Sequence, residues 1–193
     1  MKPFLLTCIS LFALTSISQA RANDFEAALS TKTAQFTFRS DSSLIGWGGA
    51  DLGVGFFFND DDSWLVDGSL MQMRQASEDA PLTFGVGVKA YAGSIDDDNN
   101  DEDVVAFALG GEVRYTIPGT MPMAVYGRGF YAPAITSFAD ADSVTDLTVG
   151  FQIEAMPQTI GFIGIRHLEI GIDGDGDYKA DDDNIHIGVR LTF

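Results

Sequence analysis

The sequence predicts an all-β fold: a transmembrane antiparallel up-and-down β-barrel that follows a cleaved signal peptide. Three observations support this prediction. Bulky apolar residues alternate with small or polar ones, acidic and Pro-containing connections alternate along the chain, and the last strand ends on Phe193. The chain has 193 residues, of which 46% are hydrophobic and 20% are charged. This length and composition suit one folded domain and exclude a disordered chain.

The chain is strongly acidic, with 28 Asp and Glu residues against 11 Lys and Arg, for a net charge of -17. The basic residues are scattered singly and form no stripe that could neutralise a phosphate backbone. We therefore exclude nucleic acid as a partner. The mean hydropathy is nevertheless +0.10, which indicates that apolar residues and charges occupy different stretches of the chain.

Residues 1–22 have the features of a secretory signal peptide. Lys2 gives the segment a short positive start, and residues 4–17 form an apolar stretch without charge. Ala20 and Ala22 place small residues at the -3 and -1 positions of a cleavage site. A membrane anchor is the alternative, but the apolar stretch is shorter than the roughly 20 residues that a spanning helix needs.

We expect the mature domain to comprise residues 23–193. Cleavage removes two basic residues and no acid, which leaves nine basic and 28 acidic residues and a net charge of -19. It also removes Cys8, the single cysteine of the chain, so that no disulfide or thiol chemistry is expected. The mature domain has no stretch of 18 apolar residues, which excludes a helical membrane protein.

Alternation with a period of two is the main signal for secondary structure in this domain. In residues 82–95, bulky residues such as Phe84 and Val86 alternate with glycines and with Lys89, which gives a strand one apolar face. A small transmembrane barrel accounts for this pattern better than a soluble sandwich, because its narrow lumen holds small residues and a few charges. The residues expected to face lipid include Phe84, Phe107, Leu109, Val149, Phe151, Ile187 and Val189.

Eight strands follow from this pattern, and eight is an even number allowed for bacterial barrels. Residues 25–29 and 33–39 could add a hairpin and give ten strands, or could pair loosely at the seam. The alternation slips around residues 166–168, which predicts a β-bulge there. The eight strands span residues 48–58, 63–74, 82–95, 104–117, 123–136, 144–155, 159–172 and 184–193.

The connections between these strands alternate in character. Because successive connections of an up-and-down barrel lie at opposite ends, the acidic ones are expected to share one end. That end would be extracellular if both termini lie in the periplasm. The acidic connections are residues 59–62, 94–103, 137–143 and 173–183, and the turn-like connections with Pro are residues 75–81, 118–122 and 156–158.

The last strand alternates apolar and polar residues from Ile185 onward and ends on the aromatic Phe193. A terminal strand of this form resembles the signal that the outer-membrane barrel assembly machinery recognises in its clients. We therefore expect that machinery as a partner during biogenesis. Outer-membrane lipids and lipopolysaccharide are the expected surroundings of the folded barrel.

Three segments resemble the YfaZ family of predicted outer-membrane proteins: residues 82–92 (LTFGVGVKAYA), 108–112 (ALGGE) and 130–133 (FYAP). The resemblance covers most of residues 23–193 and is weakest over residues 23–47. It implies a barrel in the outer membrane of a Gram-negative bacterium, sometimes described as porin-like. It brings no agreed substrate and no catalytic residues.

Acidic residues are densest in two connections, and one of them contains a partial metal-binding pattern. Asp173, Asp175 and Asp177 occupy positions 1, 3 and 5 of a calcium-loop pattern, and such oxygen ligands suit Ca²⁺ or Mg²⁺. The pattern is incomplete, because position 6 is Tyr178 instead of Gly and position 12 is Asn184 instead of Glu. Diffuse association of divalent cations and plain solvation are the alternatives, and no other cofactor is expected.

No group of residues predicts an enzyme, since neither His167 nor His186 has a nucleophile motif around it. The inward parity instead collects charges of both signs, which persist in a lumen only when they are paired. This pairing could be structural, or the charges could line a narrow, gated ion path. Eight strands would leave too little room for a wide pore. The expected lumen charges are Lys89, Glu112, Arg114, Arg128, Asp146, Glu154 and Arg190.

Two functions are therefore expected from the sequence. The first is a porin-like barrel with a narrow path for small solutes or ions. The alternative is a surface structural or interaction barrel whose acidic loops bind divalent cations, lipopolysaccharide or a partner.

Overall fold

Ten long antiparallel strands form one closed sheet. The computed structural model describes residues 23–41, 49–77, 80–97, 100–172 and 176–193. Within these ranges the only helical element is a short 3-10 helix at Ala134–Thr136, and no helix is long and apolar enough to cross a membrane. The strands are β1 (Asp24–Leu29), β2 (Thr33–Asp41), β3 (Asp51–Asn59), β4 (Trp64–Gln75), β5 (Leu82–Asp97), β6 (Asn100–Ile117), β7 (Met123–Ala132), β8 (Ser137–Ala139), β9 (Ala141–Met156), β10 (Thr159–Ile172) and β11 (Gly176–Thr192).

The sheet closes because each long strand has a partner on both sides. The strands follow the order β5, β4, β3, β2, β1, β11, β10, β9, β7 and β6 around the barrel, and β6 pairs with β5. The short strand β8 adds to β6 beside residues 104–106. Closure removes the sheet edges, so that backbone N–H and C=O groups find partners around the whole barrel.

The prediction of eight strands was wrong, and the alternative of ten is correct. The two further strands are β1 and β2, the hairpin whose place the sequence left open. β1 pairs with β11 through Leu29 and Ile187, and β2 pairs with β3 through Phe36 and Phe56. The hairpin thus fills the seam between the first and last of the eight strands. Local alternation does not report this closure, because the paired residues are far apart in the chain.

The two ends of the barrel differ in what they carry. The first described residue, Asn23, and the last residue, Phe193, lie at one end, the terminal end, where they exchange two backbone hydrogen bonds of 2.9 Å. The order of the strands places the Pro-containing connections at the terminal end as well. It places the four acidic connections at the opposite end, the far end.

Apolar side chains cover the outside of the barrel. Each of the ten long strands exposes at least one large apolar side chain, and Leu109 on β6 is 71% exposed. All seven residues expected to face lipid lie on the outer face, where six are exposed and Phe151 is half-buried. The alternate positions along each strand point inward and form the interior of the barrel.

A bulge lies where the sequence predicted one, between β10 and β11. The pairing shifts between Arg166 and Leu168 and again before Glu169. β10 keeps its alternation, because Arg166 and Leu168 are both buried. The extra residues therefore belong to β11, in which Asp183 has a positive φ of 53°. A bulge of this kind bends the strand that carries it.

Gly188→Val should destabilise the seam between β1 and β11. Gly188 faces inward, and an added Cβ would lie 2.5 Å from the carbonyl oxygen of Ala27 and against the ring of Phe162. We expect a loss of about 1–3 kcal/mol, the usual cost of overpacking, measured by urea unfolding of the detergent-folded protein. Gly127→Val is the control, because no described atom lies within 4 Å of a Cβ added there. Equal losses in both variants would contradict this account.

Candidate functional site

The lumen is the candidate functional site, and its side chains form three layers. An apolar layer fills the far half of the barrel. Below it lies the belt, in which Asp146 and Asp67 pair with Lys89 and Arg166. Toward the terminal end lies the arginine cup, which consists of Arg39, Arg114, Arg128 and Arg190 with Glu26 and Glu112.

The apolar layer closes the far half of the lumen. Ile95, Leu168 and Ile170 have no exposed surface, and Val104 is 1% exposed. Eight of the long strands contribute to this layer, so that side chains from opposite walls meet at its centre. The layer consists of Phe57, Leu65, Tyr91, Ile95, Val104, Ala106, Ala108, Phe130, Ala132, Ala141, Val144, Leu168, Ile170 and Ala180. A lumen packed in this way is a core and not an open pore.

The far hairpin, residues 168–172 and 176–181 of β10 and β11, helps to close the far end. The hydroxyl groups of Tyr178 and Ser63 share a hydrogen bond of 2.9 Å, and the side-chain amide of Asn59 donates to Tyr178 Oη at 3.1 Å. Asn59 is the last residue of β3, and Ser63 lies just before β4. Because β1 and β2 lie between β3 and β11 in the sheet, the far hairpin must lean over the short β1–β2 hairpin to make these contacts.

Asp146 is the centre of the charged belt, and it is 5% exposed. Arg166 donates to both of its carboxylate oxygens, from Nε at 2.9 Å and from Nη2 at 3.0 Å. Lys89 Nζ donates to the same carboxylate at 3.0 Å, and Tyr91 Oη donates at 2.8 Å. Lys89 also lies 3.4 Å from a carboxylate oxygen of Asp67.

The belt ties opposite walls of the barrel together. Lys89 is on β5, whereas Asp146 is on β9, and two strands lie between them on the shorter path around the sheet. Arg166 on β10 donates from Nη1 to the side-chain oxygen of Gln35 on β2 at 3.1 Å, again with two strands between them. Two acids and two bases make the belt neutral, which is the condition under which buried charges are tolerated.

The arginine cup contains two carboxylates, each shared by two arginines. Glu26 Oε2 lies 3.0 Å from Arg39 Nη1 and 2.8 Å from Arg190 Nη2. Glu112 lies 2.5 Å from Arg114 Nη2 through one oxygen and 2.8 Å from Arg128 Nη2 through the other. The four arginines come from β2, β6, β7 and β11 and therefore face one another across the lumen.

A cavity of about 230 Å³ lies within the arginine cup. All four arginines line it, Lys89 and Asp67 reach it from the belt, and Asp24 and Asp51 lie at its terminal end. The remaining lining residues are Gln35, Thr37, Gly53, Ser69, Met71, Met73, Thr83, Glu112 and Phe130. The interior thus forms a charged cavity toward the terminal end and an apolar block toward the far end.

Six of the seven lumen charges expected from the sequence take part in these two groups. Lys89 and Asp146 belong to the belt, and the cup contains Glu112, Arg114, Arg128 and Arg190. Glu154 is half-buried on the inward register of β9 and belongs to neither group.

Sequence reasoning missed four charges of the belt and the cup, Glu26, Arg39, Asp67 and Arg166. Glu26 and Arg39 lie on the hairpin that was left open, and Arg166 lies where the sequence pattern indicated a slip, although β10 keeps its alternation there. On β4, Asp67 lies between the outward-facing Val66 and Gly68. The alternation of this strand could therefore have placed Asp67 in the lumen.

The proposed calcium pattern falls outside what the structure describes. Asp173 and Asp175 are not among the described residues, and neither is the side chain of Asp177. No group of three or more His, Cys, Asp or Glu residues in the described ranges could hold a metal ion. His186 faces the lumen beside the ring of Phe162, whereas His167 lies on the outer register, 3.2 Å from a carboxylate oxygen of Asp183.

Comparison with known proteins identifies a family. The model of the family described as "YfaZ precursor" matches residues 1–193. No curated protein matches the chain. Among solved structures, the chain is similar to the crystal structure of the outer membrane channel DcaP of Acinetobacter baumannii, with 10% sequence identity and a TM-score of 0.41. The match covers 87% of this chain and 54% of the channel, so that the chain spans about half the length of that protein.

Asp146→Asn should weaken the barrel by removing the charge that Lys89 and Arg166 share. Removing one partner of a buried ion pair costs about 3–5 kcal/mol. We expect a loss of this size in the free energy of unfolding in urea, with the amide retaining the shape of the carboxylate. Asp142→Asn is the control, because Asp142 is an exposed acid on the same strand. If the two variants unfolded alike, the belt would not be holding the opposite walls.

Proposed function

The chain belongs to the YfaZ family, and we propose that it is an integral β-barrel of the outer membrane of a Gram-negative bacterium. The apolar exterior carries this proposal. Every long strand exposes large apolar side chains, whereas the paired charges of the belt and the cup lie inside. Burial in lipid removes such a surface from water, and a closed sheet meets the need to pair every backbone group there.

The proposed route to the membrane begins with the signal peptide at residues 1–22. The barrel assembly machinery would then insert the chain, with the β11 end and Phe193 as its recognition signal. The terminal end would lie in the periplasm and the acidic far end outside the cell, as in bacterial barrels with both termini in the periplasm.

Val149→Arg tests the membrane location of the outer face. Val149 is 62% exposed near the middle of β9, and an Arg there should cost about 2–4 kcal/mol in a bilayer. Thr145→Arg is the control, because Thr145 lies on the same face nearer the far end, where an Arg costs about 0–1 kcal/mol. The measurement is urea unfolding from phospholipid vesicles. Equal costs at the two positions would contradict a bilayer centred on Val149.

Within this barrel we propose a narrow path for small solutes or ions rather than an open diffusion pore. The charged cup supports such a path, and the apolar layer together with the belt closes it in the conformation described here. The far hairpin is the element that would move. The hydrogen bonds of the Tyr178 hydroxyl with Ser63 and Asn59 hold it in the closed position and would have to break. The barrel is proposed to be non-enzymatic.

Planar-bilayer recordings test the path. The wild-type protein should show rare, small, charge-selective steps, and Tyr178→Phe should increase the fraction of time spent open by removing both hydrogen bonds. Tyr131→Phe is the matched control, because Tyr131 is 54% exposed on the outer face. A membrane that stays silent with every variant would overturn the proposed path.

The second candidate is a surface structural or interaction barrel, favoured by the four acidic connections at the far end. Carboxylates collected at one rim repel one another unless cations neutralise them. Loosely held Ca²⁺ or Mg²⁺ would reduce this repulsion and could bridge the rim to lipopolysaccharide phosphates. Silent recordings would make this the leading function.

A further inference from the structure

The positive charges of this acidic protein are concentrated inside the barrel. Residues 23–193 contain nine Lys and Arg residues, and six of them face the lumen. Lys32, Arg74 and Lys179 are the three that do not, and all of them are exposed. The six in the lumen are Arg39, Lys89, Arg114, Arg128, Arg166 and Arg190. Repulsion among the surface acids does not explain why the basic residues lie inside, because basic residues at the surface would reduce that repulsion more.

The arginines of the cup outnumber the carboxylates that they bind. Its four arginines face two carboxylates, those of Glu26 and Glu112. Asp24 and Asp51 also line the cavity, at its terminal end. The Asp51 side chain is exposed to solvent, and Asp24 accepts a hydrogen bond from Thr192 Oγ1 at 2.6 Å. Solvent screens charges at the rim more strongly than those deeper in the cup.

Two arginines of the cup share one acceptor among the described residues. Each guanidinium has five N–H donors. Arg39 Nη1 and Arg190 Nε and Nη2 all contact the same oxygen of Glu26. The Nε of Arg114 is buried, and no acceptor among the described residues lies within hydrogen-bonding distance of it. A buried donor without an acceptor is costly, and the Arg114 side chain that carries it also lines the cavity.

We propose that the arginine cup binds a small soluble anion that bears carboxylate or phosphate groups and enters from the terminal end. Guanidinium groups match such oxygens in pairs, which makes arginine the preferred residue for them. The cavity of about 230 Å³ limits the ligand to a small molecule. The barrel wall separates the cup from the surrounding lipid, which favours a soluble ligand over a lipid headgroup.

This inference uses the lumen of the proposed barrel but does not require conduction. The cup is closed toward the far end by the belt and the apolar layer, so that an anion could bind and leave through the terminal end alone. Binding and conduction can therefore be tested separately on the same preparation.

Isothermal titration of the mature protein with inorganic phosphate tests the cup. The protein is folded in a neutral detergent, and sodium chloride keeps the ionic strength constant. Arg114→Gln should weaken phosphate binding by about tenfold. Glu112→Gln should strengthen it several-fold, because it removes a carboxylate that competes for Arg114 and Arg128. Arg74→Gln, which removes a positive charge from the outer face, should leave binding unchanged.

Three results would overturn the proposal: no saturable phosphate binding by the wild type, equal weakening by Arg114→Gln and Arg74→Gln, or displacement of phosphate by an anionic phospholipid added to the detergent. If Arg114→Gln does not fold, Glu112→Gln decides alone, because a purely structural ion pair would not tighten binding when it is broken. Phosphate binding with a silent bilayer would contradict the proposed path and support the cup. Conduction without phosphate binding would contradict the cup alone.

Discussion

Closure of the sheet is the constraint on which the rest of the structure depends. A closed antiparallel sheet pairs its backbone groups around the whole barrel, and it can therefore carry an apolar exterior without exposing an edge. Ten strands then set the diameter of the interior, which is small enough for side chains to fill in layers. Because strand residues alternate between two faces, each outward apolar residue brings inward neighbours that the lumen must accommodate.

The interior meets this demand differently in its two halves. In the far half the inward residues are apolar, and Ile95, Leu168 and Ile170 pack as a core. In the terminal half they are charged, and the Asp146 belt divides the two regions. The side chains of the belt are buried, and their charges balance. The cup can hold more arginines than carboxylates because its cavity extends toward the terminal end, where solvent reduces the cost and Asp24 and Asp51 add negative charge.

This division relates the two proposals about the lumen. The far hairpin is held across the mouth by hydrogen bonds of Tyr178, whereas the cup is built from five strands of the closed wall. In the proposed path, the hairpin is therefore the part that would move, and the cup is the part that would stay in place. A fixed cup beneath a movable closure would let the barrel hold a small anion whether or not the far end ever opens.

The sequence by itself determined what depends on alternation and on antiparallel order. These features are the outward apolar face, the inward side for charges such as Lys89 and Glu112, and the gathering of acidic connections at one end. The tertiary structure decided how many strands close the barrel, because the pairing of Leu29 with Ile187 joins residues far apart in the chain. It also decided which charges meet. Parity assigns a side chain to the lumen, but only the register and stagger of several strands bring Lys89 and Arg166 to the same carboxylate of Asp146.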